Sequence, residues 1–388
     1  MKIAVIGLGV LGASVARSLA LAGAEVTVFE RTAPLAGTTG TSFAWFNAHS
    51  KNPRPYHDLN VAGMAEHAAL EQRAGVAPPW LVRGGNLEWA EDSAGAERLA
   101  GATAELIERD YPVHWIGREQ ARELVPDLRI PAQVGEIAYY PTEGHLYPAL
   151  LMARLWGEAR ENGAVLRCPA TVTGLSATSS GARVELAGER TEFDAAVLTV
   201  GRWTEDLTAA AGYRVPLADP DAPGSVTVGL LGYTEPVPAR LDRILTTPRL
   251  NARPDGGGRL IVQGLDLDAE ADPADPPAPD GPHARELCRR LGELLAGTEG
   301  ARLASLRVGQ RPMPADGLTV AGFLDEDARL YSIATHSGIT LGPLLGRLAA
   351  EELCTGNPSE QLAEFRPQRL IGRTDHPKLE PARFAGQQ

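Results

Sequence analysis

Lys2-Ile3-Ala4-Val5-Ile6 runs without a break into Gly7-Leu8-Gly9-Val10-Leu11-Gly12. The first five residues are a short β-branched run of the kind a buried parallel strand needs. The next six are a G-x-G-x-x-G loop. Ala13 to Ala22 then place Val15, Leu19 and Ala22 on one helical face, and Gly23 ends the helix. Glu25 to Phe29 reads as a second strand with Glu30 at its C-terminal end. Gly7 permits a tight turn, Gly9 lets a pyrophosphate approach the backbone, and Gly12 lets helix and strand pack closely. The helix N-terminus offers N–H groups and positive dipole to phosphates. Glu30, at the spacing expected of a ribose-binding acid, disfavours a 2′-phosphate and leaves FAD or NAD. A Lys followed by an apolar run and small residues also occurs in secretory signals, but those need neither the glycine spacing nor Glu30.

Working outward, the 388 residues allow two domains, and their net charge of −12 with scattered basic residues makes nucleic acid or an anionic membrane an unnatural partner. No apolar run reaches the length of a membrane span. Cys168, Cys288 and Cys354 are far apart and match no metal or redox spacing, so no metal site and a reducing, cytoplasmic setting are expected. Only Lys2, Lys51 and Lys378 stand beside many arginines, and Ala, Gly and Pro are abundant, a composition typical of GC-rich bacteria.

Arg31 to Ser42 forms a small, hydroxyl-rich loop that either follows a diphosphate or is an ordinary connection; Phe43 to Ser50 then mixes aromatic and polar groups like the wall of a flat ligand. A helix over Leu59 to Arg73 has Asp58 available as N-cap. Pro78-Pro79 and Gly84-Gly85 mark turns before a strand at Asn86 to Ala90, and helices follow over Ala94–Arg109 and Arg118–Leu124. Ile137 to Tyr140 is a strand, Pro141 to His145 a turn, and His145 a candidate for catalysis or for a structural role. Pro148 to Asn162 is an amphipathic helix. Strands follow at Ala164–Arg167, Thr171–Leu175, Ala182–Leu186 and Ala195–Val200, the last ending at Gly201, where backbone can meet a nucleotide. From Val226 to Leu265 successive strands with a turn at Asp255-Gly256-Gly257-Gly258 point to an antiparallel sheet. Asp266 to Pro282 reads as a mobile loop before a helix at Ala284–Ala296. After strands at Ala301–Arg311, Leu318–Gly322 and Leu330–Thr335, His336 to Pro343 opens a last helix, with Pro343 in its first turn and Gly356 past its end.

The N-terminal glycine motif with Glu30, the late Gln310-Arg311-Pro312 with Asp316-Gly317, and His336-Ser337-Gly338 with Gly342-Pro343 together resemble one superfamily: FAD-dependent amine oxidoreductases typified by D-amino-acid oxidase, glycine oxidase and sarcosine oxidase. The resemblance covers nearly the whole chain and is weak over about residues 75–135 and 265–300. It implies an α/β fold in which a Rossmann-like FAD-binding domain (1–45, 145–215 and 305–370) carries a substrate domain on an antiparallel sheet with helices (46–144 and 216–304), followed by a tail, 371–388.

By position, the resemblance assigns Gly7, Gly9, Val10, Leu11 and Gly12 to the pyrophosphate and Glu30 to the adenosine ribose. Arg31, Thr38, Thr39, Gly40, Thr41 and Ser42 would line the diphosphate and the approach to the ring, Val172 would meet the adenine, and Gly201 and Trp203 form a second nucleotide-contacting turn. Gly338, Ile339, Thr340 and Leu341 would bring N–H groups to the N1/C2=O edge of the flavin, where reduction leaves negative charge. Arg311 matches an arginine that clamps a substrate carboxylate, a task suited to its planar fork; the alternative is a structural ion pair. Trp45, Phe46, Asn47, His49, Tyr233 and Asn251 are pocket candidates by region.

The implied reaction oxidises the C–N bond of a small amino acid or N-substituted amine, with hydride passing to flavin N5. The imine is hydrolysed and O2 reduced to hydrogen peroxide, with no general base required. A dehydrogenase passing electrons to a quinone or other carrier, or a biosynthetic oxidation of a larger amine, is the alternative. An NAD-dependent dehydrogenase or a non-catalytic nucleotide binder would not need the late glycine-rich junction. The segment around Arg311 lacks the cysteine that links flavin in some members, so FAD is expected to be non-covalent. The resemblance implies, for certain members, a lysine that promotes reaction with oxygen; residues 216–304 hold no lysine, Lys51 is the one candidate near the ring, and a solvated surface position is expected for it.

Overall fold

The computed structural model describes residues 1–74 and 79–380, so Pro78 and residues 381–388 of the expected tail lie outside it. Lys2–Ile6 is the pivot of a six-stranded sheet ordered Val320–Phe323, Leu330–Ala334, Ala195–Leu198, Lys2–Ile6, Glu25–Phe29, Val165–Arg167. Its neighbours pair in parallel, Ile3 opposite both Ala195 and Val26; only the outer pair, Val320–Phe323 with Leu330–Ala334, is antiparallel. The strand faces alternate as the pleat requires. Ile3, Val5, Val26 and Val28 join the helices Val10–Leu21, Pro148–Glu161 and Gly338–Thr355 in one core. Ala4, Ile6 and Phe29 face a three-stranded antiparallel sheet, Gly174–Thr178, Gly181–Leu186 and Glu189–Phe193. Chain order reverses across Lys2–Ile6, which is where an open α/β sheet leaves a crevice.

The last helix lies directly against the first. A Cβ on Gly346 would meet the Ser14 carbonyl carbon at 2.5 Å and its oxygen at 2.7 Å, so the two axes can approach this closely only with glycine there.

The second layer is an eight-stranded sheet ordered Leu303–Gln310, Val228–Thr234, Arg259–Gln263, Asn251–Gly256, Ile244–Thr246, Asn86–Glu88, Glu136–Tyr140, His114–Gly117. It is antiparallel except where Ile244–Thr246 runs parallel to Asn86–Glu88. Leu287 and Leu291 of the helix Pro282–Leu294 pack in its core with Val262 and Leu306. A small sheet of Trp45–Phe46, Gly144–Leu146 and Leu81–Val82 stands beside it.

Several expectations need correction. Asp58 caps nothing: the helix begins at Arg54, where Pro55 occupies its first turn and the Tyr56 N–H donates to Pro53 O at 2.9 Å. Apolar periodicity starts only later, which is why the sequence placed the start too late. His145 lies in a strand, not a turn, paired with Trp45 and Val82. The strand expected at Thr171–Leu175 is displaced to Gly174–Thr178. Asp266–Pro282 is not wholly a loop: Leu265–Asp268 is helical and Leu267, Asp268 and Ala271 are buried. Pro343 sits inside the last helix, which starts at Gly338, rather than in its first turn. Proline lacks the N–H that would bond Ile339 O, and His67 Nε2 donates to that carbonyl instead, at 2.9 Å.

Candidate active site

The crevice at the head of Lys2–Ile6 has a volume of about 700 Å³, within the range of roughly 300–1,000 Å³ typical of small-molecule sites. Gly7 takes φ +95°, a conformation that favours glycine, and a Cβ on Gly12 would lie 1.9 Å from Gly7 O. The loop is thus pressed against the helix it introduces. Gly9 gives that helix no side-chain cap, and the Val10 N–H is met by Thr39 Oγ1 at 3.1 Å. Glu30 braces the opposite lip: its Oε2 accepts from the Leu8 N–H at 2.8 Å and its Oε1 from the Thr32 N–H at 2.9 Å.

Gly9, Val10 and Leu11 line the crevice with Gly7, Glu30 and Arg31. Thr38, Thr39 and Ser42 form a third side, and Val172, Gly201 and Trp203 a fourth. The Trp203 ring is flanked by the Arg31 and Arg202 guanidinium groups, 4.2 and 4.0 Å from its centroid. Gly338 and Ile339 line the far end, and a Cβ on Gly338 would be 3.5 Å from Val10 Cγ1. The two helix N-termini therefore meet in one space. Gly12 acts from behind through packing. Gly40 is pressed on Leu35 O, and Leu341 is buried; neither lines this crevice. Thr41 and Thr340 face a smaller cavity of about 130 Å³ that shares Thr38, Ser42, His336 and Ile339 with the crevice.

That smaller cavity collects Arg311, Trp45, Asn47 and Asn251 as expected. Phe46, His49 and Tyr233 do not line it. Phe46 packs in the apolar core, Tyr233 lies under the Arg307 guanidinium at 4.6 Å, and His49 is buried behind Trp45, with ring centroids 4.7 Å apart. Arg311 Nη1 donates to Val226 O and Val228 O, both at 3.0 Å, and its Nη2 lies 3.7 Å from Asp268 Oδ2. The guanidinium is thus held in a structural ion pair while still facing the cavity. Asp268 in turn accepts from the Leu230 N–H at 2.7 Å and Gln263 Nε2 at 2.6 Å. Burial pushes its carboxyl up to about 6 against the Arg311 charge.

Lys51 overturns the expectation of a solvated side chain. It is 7% exposed and lines the small cavity, because the chain turns inward between the Trp45–Phe46 strand and the helix beginning at Arg54. Burial lowers its pKa to about 8; Glu143 opposes that shift and Arg311 adds to it. His336 shares the cavity and is held neutral, far below the ordinary histidine value, by burial and then by the Lys51 and Arg311 charges. Tyr56 hydroxyl bridges His336 Nε2 at 3.0 Å and Ser337 Oγ at 2.8 Å. His145, the other histidine considered from the sequence, is buried away from both cavities and lowered to about 3 by burial and Arg253. Sequence reading missed Gln263, His336 and Asp268 as site residues, and it named Lys51 as the lysine candidate near the ring but favoured a solvated position for it. A lone lysine directly after an aromatic–polar wall, in a chain with so few, was the one available signal.

Two uncapped helix N-termini converging at a strand-order switch define a dinucleotide-binding protein of the two-sheet α/β class. Residues 2–352 match the family model described as FAD dependent oxidoreductase. Glycine oxidase of Geobacillus kaustophilus (strain HTA426) is 26% identical over 379 residues, 96% of this chain and 97% of its own length. The crystal structure of glycine oxidase from Geobacillus kaustophilus has a TM-score of 0.80 at 24% identity, covering 96% of this chain and 100% of that one. That of L-proline dehydrogenase from P. horikoshii has a TM-score of 0.80 at 19% identity, covering 95% of this chain and 97% of that one. The chain belongs to the FAD-dependent oxidoreductase family, and it is an enzyme of that class. The glycine cradle, the acid at the second strand end and the two helix termini all fit FAD.

Proposed function

We propose that this enzyme oxidises the C–N bond of a small amino acid or N-substituted amine that carries a carboxylate, giving an imine that water hydrolyses, with O2 as the final electron acceptor. The observation that carries the reading is that the small cavity, with Arg311 on its wall, shares Thr38, Ser42, His336 and Ile339 with the crevice where both helix termini meet. The glycine oxidase among its relatives supports a small amino-acid substrate.

FAD, when bound, supplies the acceptor for the hydride and both electrons. Glu30 would hold the ribose hydroxyls, and the N–H groups after Gly9 would hold the pyrophosphate. Those at Gly338 to Thr340 would face the flavin edge that becomes negative. Arg311, with Nη1 on two backbone carbonyls and Nη2 beside Asp268, would hold the substrate carboxylate as a positive charge fixed in place. The substrate amine must be neutral to release hydride, so a proton has to leave the cavity first. We take attachment of FAD as non-covalent, since among the described residues no cysteine lines either cavity. The FAD-binding part would be the six-stranded sheet with its helices (1–45, 145–215, 305–370), and the eight-stranded sheet (46–144, 216–304) would cover the substrate.

Purified holoenzyme mixed anaerobically with glycine, sarcosine, L-proline and D-alanine should bleach with at least one of them. Arg311→Ala should raise KM for that substrate by about 2–5 kcal/mol equivalent while leaving flavin bound. A yellow protein that no amine bleaches would refute the assignment, and unchanged kinetics in the variant would remove Arg311 from substrate binding. Oxygen uptake against dye reduction separates O2 from another carrier as acceptor.

A further inference from the structure

Behind the small cavity lies a chain of buried ionisable groups that binding and hydride release do not use. Glu143, fully buried, accepts three hydrogen bonds: from Trp45 Nε1 at 3.0 Å, from Tyr111 hydroxyl at 2.9 Å, and from His49 Nδ1 at 2.7 Å. Trp45 and Lys51 both line the small cavity, so Glu143 stands directly behind its wall. On the far side of His49, Nε2 points to Glu88 Oε2 at 3.6 Å, and neither atom has a hydrogen-bond partner. Glu88 opens onto a different cavity, of about 710 Å³, between the helix Ser93–Glu108 and the eight-stranded sheet. A buried imidazole and carboxylate with unsatisfied atoms facing each other carry a desolvation cost that packing alone does not require.

We propose that Lys51, Glu143, His49 and Glu88 form a proton-exit route from the substrate cavity to this outer cavity. It rests on the reading of the substrate as an amine that arrives as its ammonium ion. The substrate N–H bond breaks and the proton passes to neutral Lys51 Nζ, then toward the Glu143 carboxylate. The His49 imidazolium, its Nδ1–H held by Glu143, gives its Nε2 proton to Glu88 Oε2, which releases it to water, and the proton delivered to Glu143 restores the charge of the Glu143–His49 pair. One proton enters and one leaves, and no electron moves.

The electrostatics of each station agree. Lys51, lowered by burial to about 8 against Glu143 and with Arg311 adding to the shift, gives up and regains its proton far closer to neutrality than an ordinary lysine. Burial alone would lower His49, but the Glu143 charge and hydrogen bond, then Glu88, raise it above the ordinary value despite Lys51. The imidazolium, which is the loaded state, is thereby the favoured one. Burial raises Glu88 to about 7; His49 opposes this, while Glu143 adds to it and Tyr140 hydrogen-bonds the carboxyl. It can therefore both take and release a proton near neutrality. Tyr140 also stacks on His49 with centroids 4.5 Å apart and fixes the ring plane.

Glu88 is a positioning and relay residue without contact to substrate, so its test uses pH dependence. Anaerobic flavin reduction of the holoenzyme by the fastest amine among glycine, sarcosine, L-proline and D-alanine is followed from pH 6 to 10 in wild type, Glu88→Gln and Glu88→Asp. The route requires Glu88→Gln to reduce at least tenfold more slowly near pH 6–7, with the deficit closing by pH 10, where the amine arrives neutral. Glu88→Asp should recover most of the rate. In 15N-histidine spectra, the His49 pKa should fall in Glu88→Gln while the fold is kept. A rate that superimposes on wild type, or falls by one factor at every pH, overturns the route while leaving the assigned chemistry intact. Failure of the wild type itself to bleach overturns both.

Discussion

His67 shows how one side chain can complete a distant element. Its Nε2 donates to Ile339 O and its Nδ1 accepts from Trp80 Nε1 at 3.4 Å, so both nitrogens are engaged only in the neutral ring. Burial, with Arg83 adding to it, lowers its pKa to about 4. His145, fully buried with neither ring nitrogen bonded, is lowered to about 3. In both cases the unfolded chain binds a proton near pH 6.5 and the folded chain does not, so stability falls as pH drops below that value. Between pH 6.5 and 5 the two histidines together should cost roughly 3–4 kcal/mol. Urea unfolding at pH 5 and 7 measures this, and His67→Gln, which keeps a donor for Ile339 O, should remove about half of the slope. An unchanged slope would show that His67 does not titrate in this window. None of this was legible in the sequence, where His67 is one polar residue on a helix and its partner lies 272 positions away.

Elements were legible where their signal is local. Gly7 to Gly12 with Glu30 carries its own geometry, so the first strand, helix and second strand fall where the spacing puts them. The last helix was legible, but Pro343 misplaced its start, because the proline's missing N–H is compensated from another helix. Trp45–Phe46 and Leu81–Val82 were invisible for a related reason: strands of two residues have no periodicity and exist only through Gly144–Leu146 between them. The contact of first and last helices was not legible either, since nothing in a lone glycine names its partner. Gly346→Val should force the helices apart and cost about 1–3 kcal/mol. It should also shift the Gly338 terminus relative to Val10 and so loosen the cofactor. Urea midpoints and flavin retention on gel filtration test this, and a variant that keeps both would mean the helices repack at no cost.

For the whole molecule, the parallel sheet followed from a motif, while the order of the eight-stranded sheet did not. Its pairing of Asn86–Glu88 with Ile244–Thr246 joins segments that have no mark of each other in the sequence. The same holds for the small cavity: Arg311 was singled out by resemblance, whereas Lys51 and Gln263 join it, with Asp268 behind, only in the folded chain. FAD spanning the crevice would bind the native state and not the unfolded one. Adding it to apoprotein at about a hundredfold excess over Kd should stabilise by roughly 2.7 kcal/mol. This would be read as a rise in the thermal midpoint that NAD does not reproduce. Equal shifts by both nucleotides would refute selectivity for FAD.

Because Gly9 and Gly338 close the same crevice from opposite ends of the chain, the order of synthesis matters. The opening βαβ unit can collapse as soon as it leaves the ribosome, but its ligand cavity stays open until the helix beginning at Gly338 has been made. Flavin capture is therefore expected only once the helix beginning at Gly338 is in place. A nascent chain stalled before Gly338 should emerge colourless, whereas one released after Gly356 should take up the pigment.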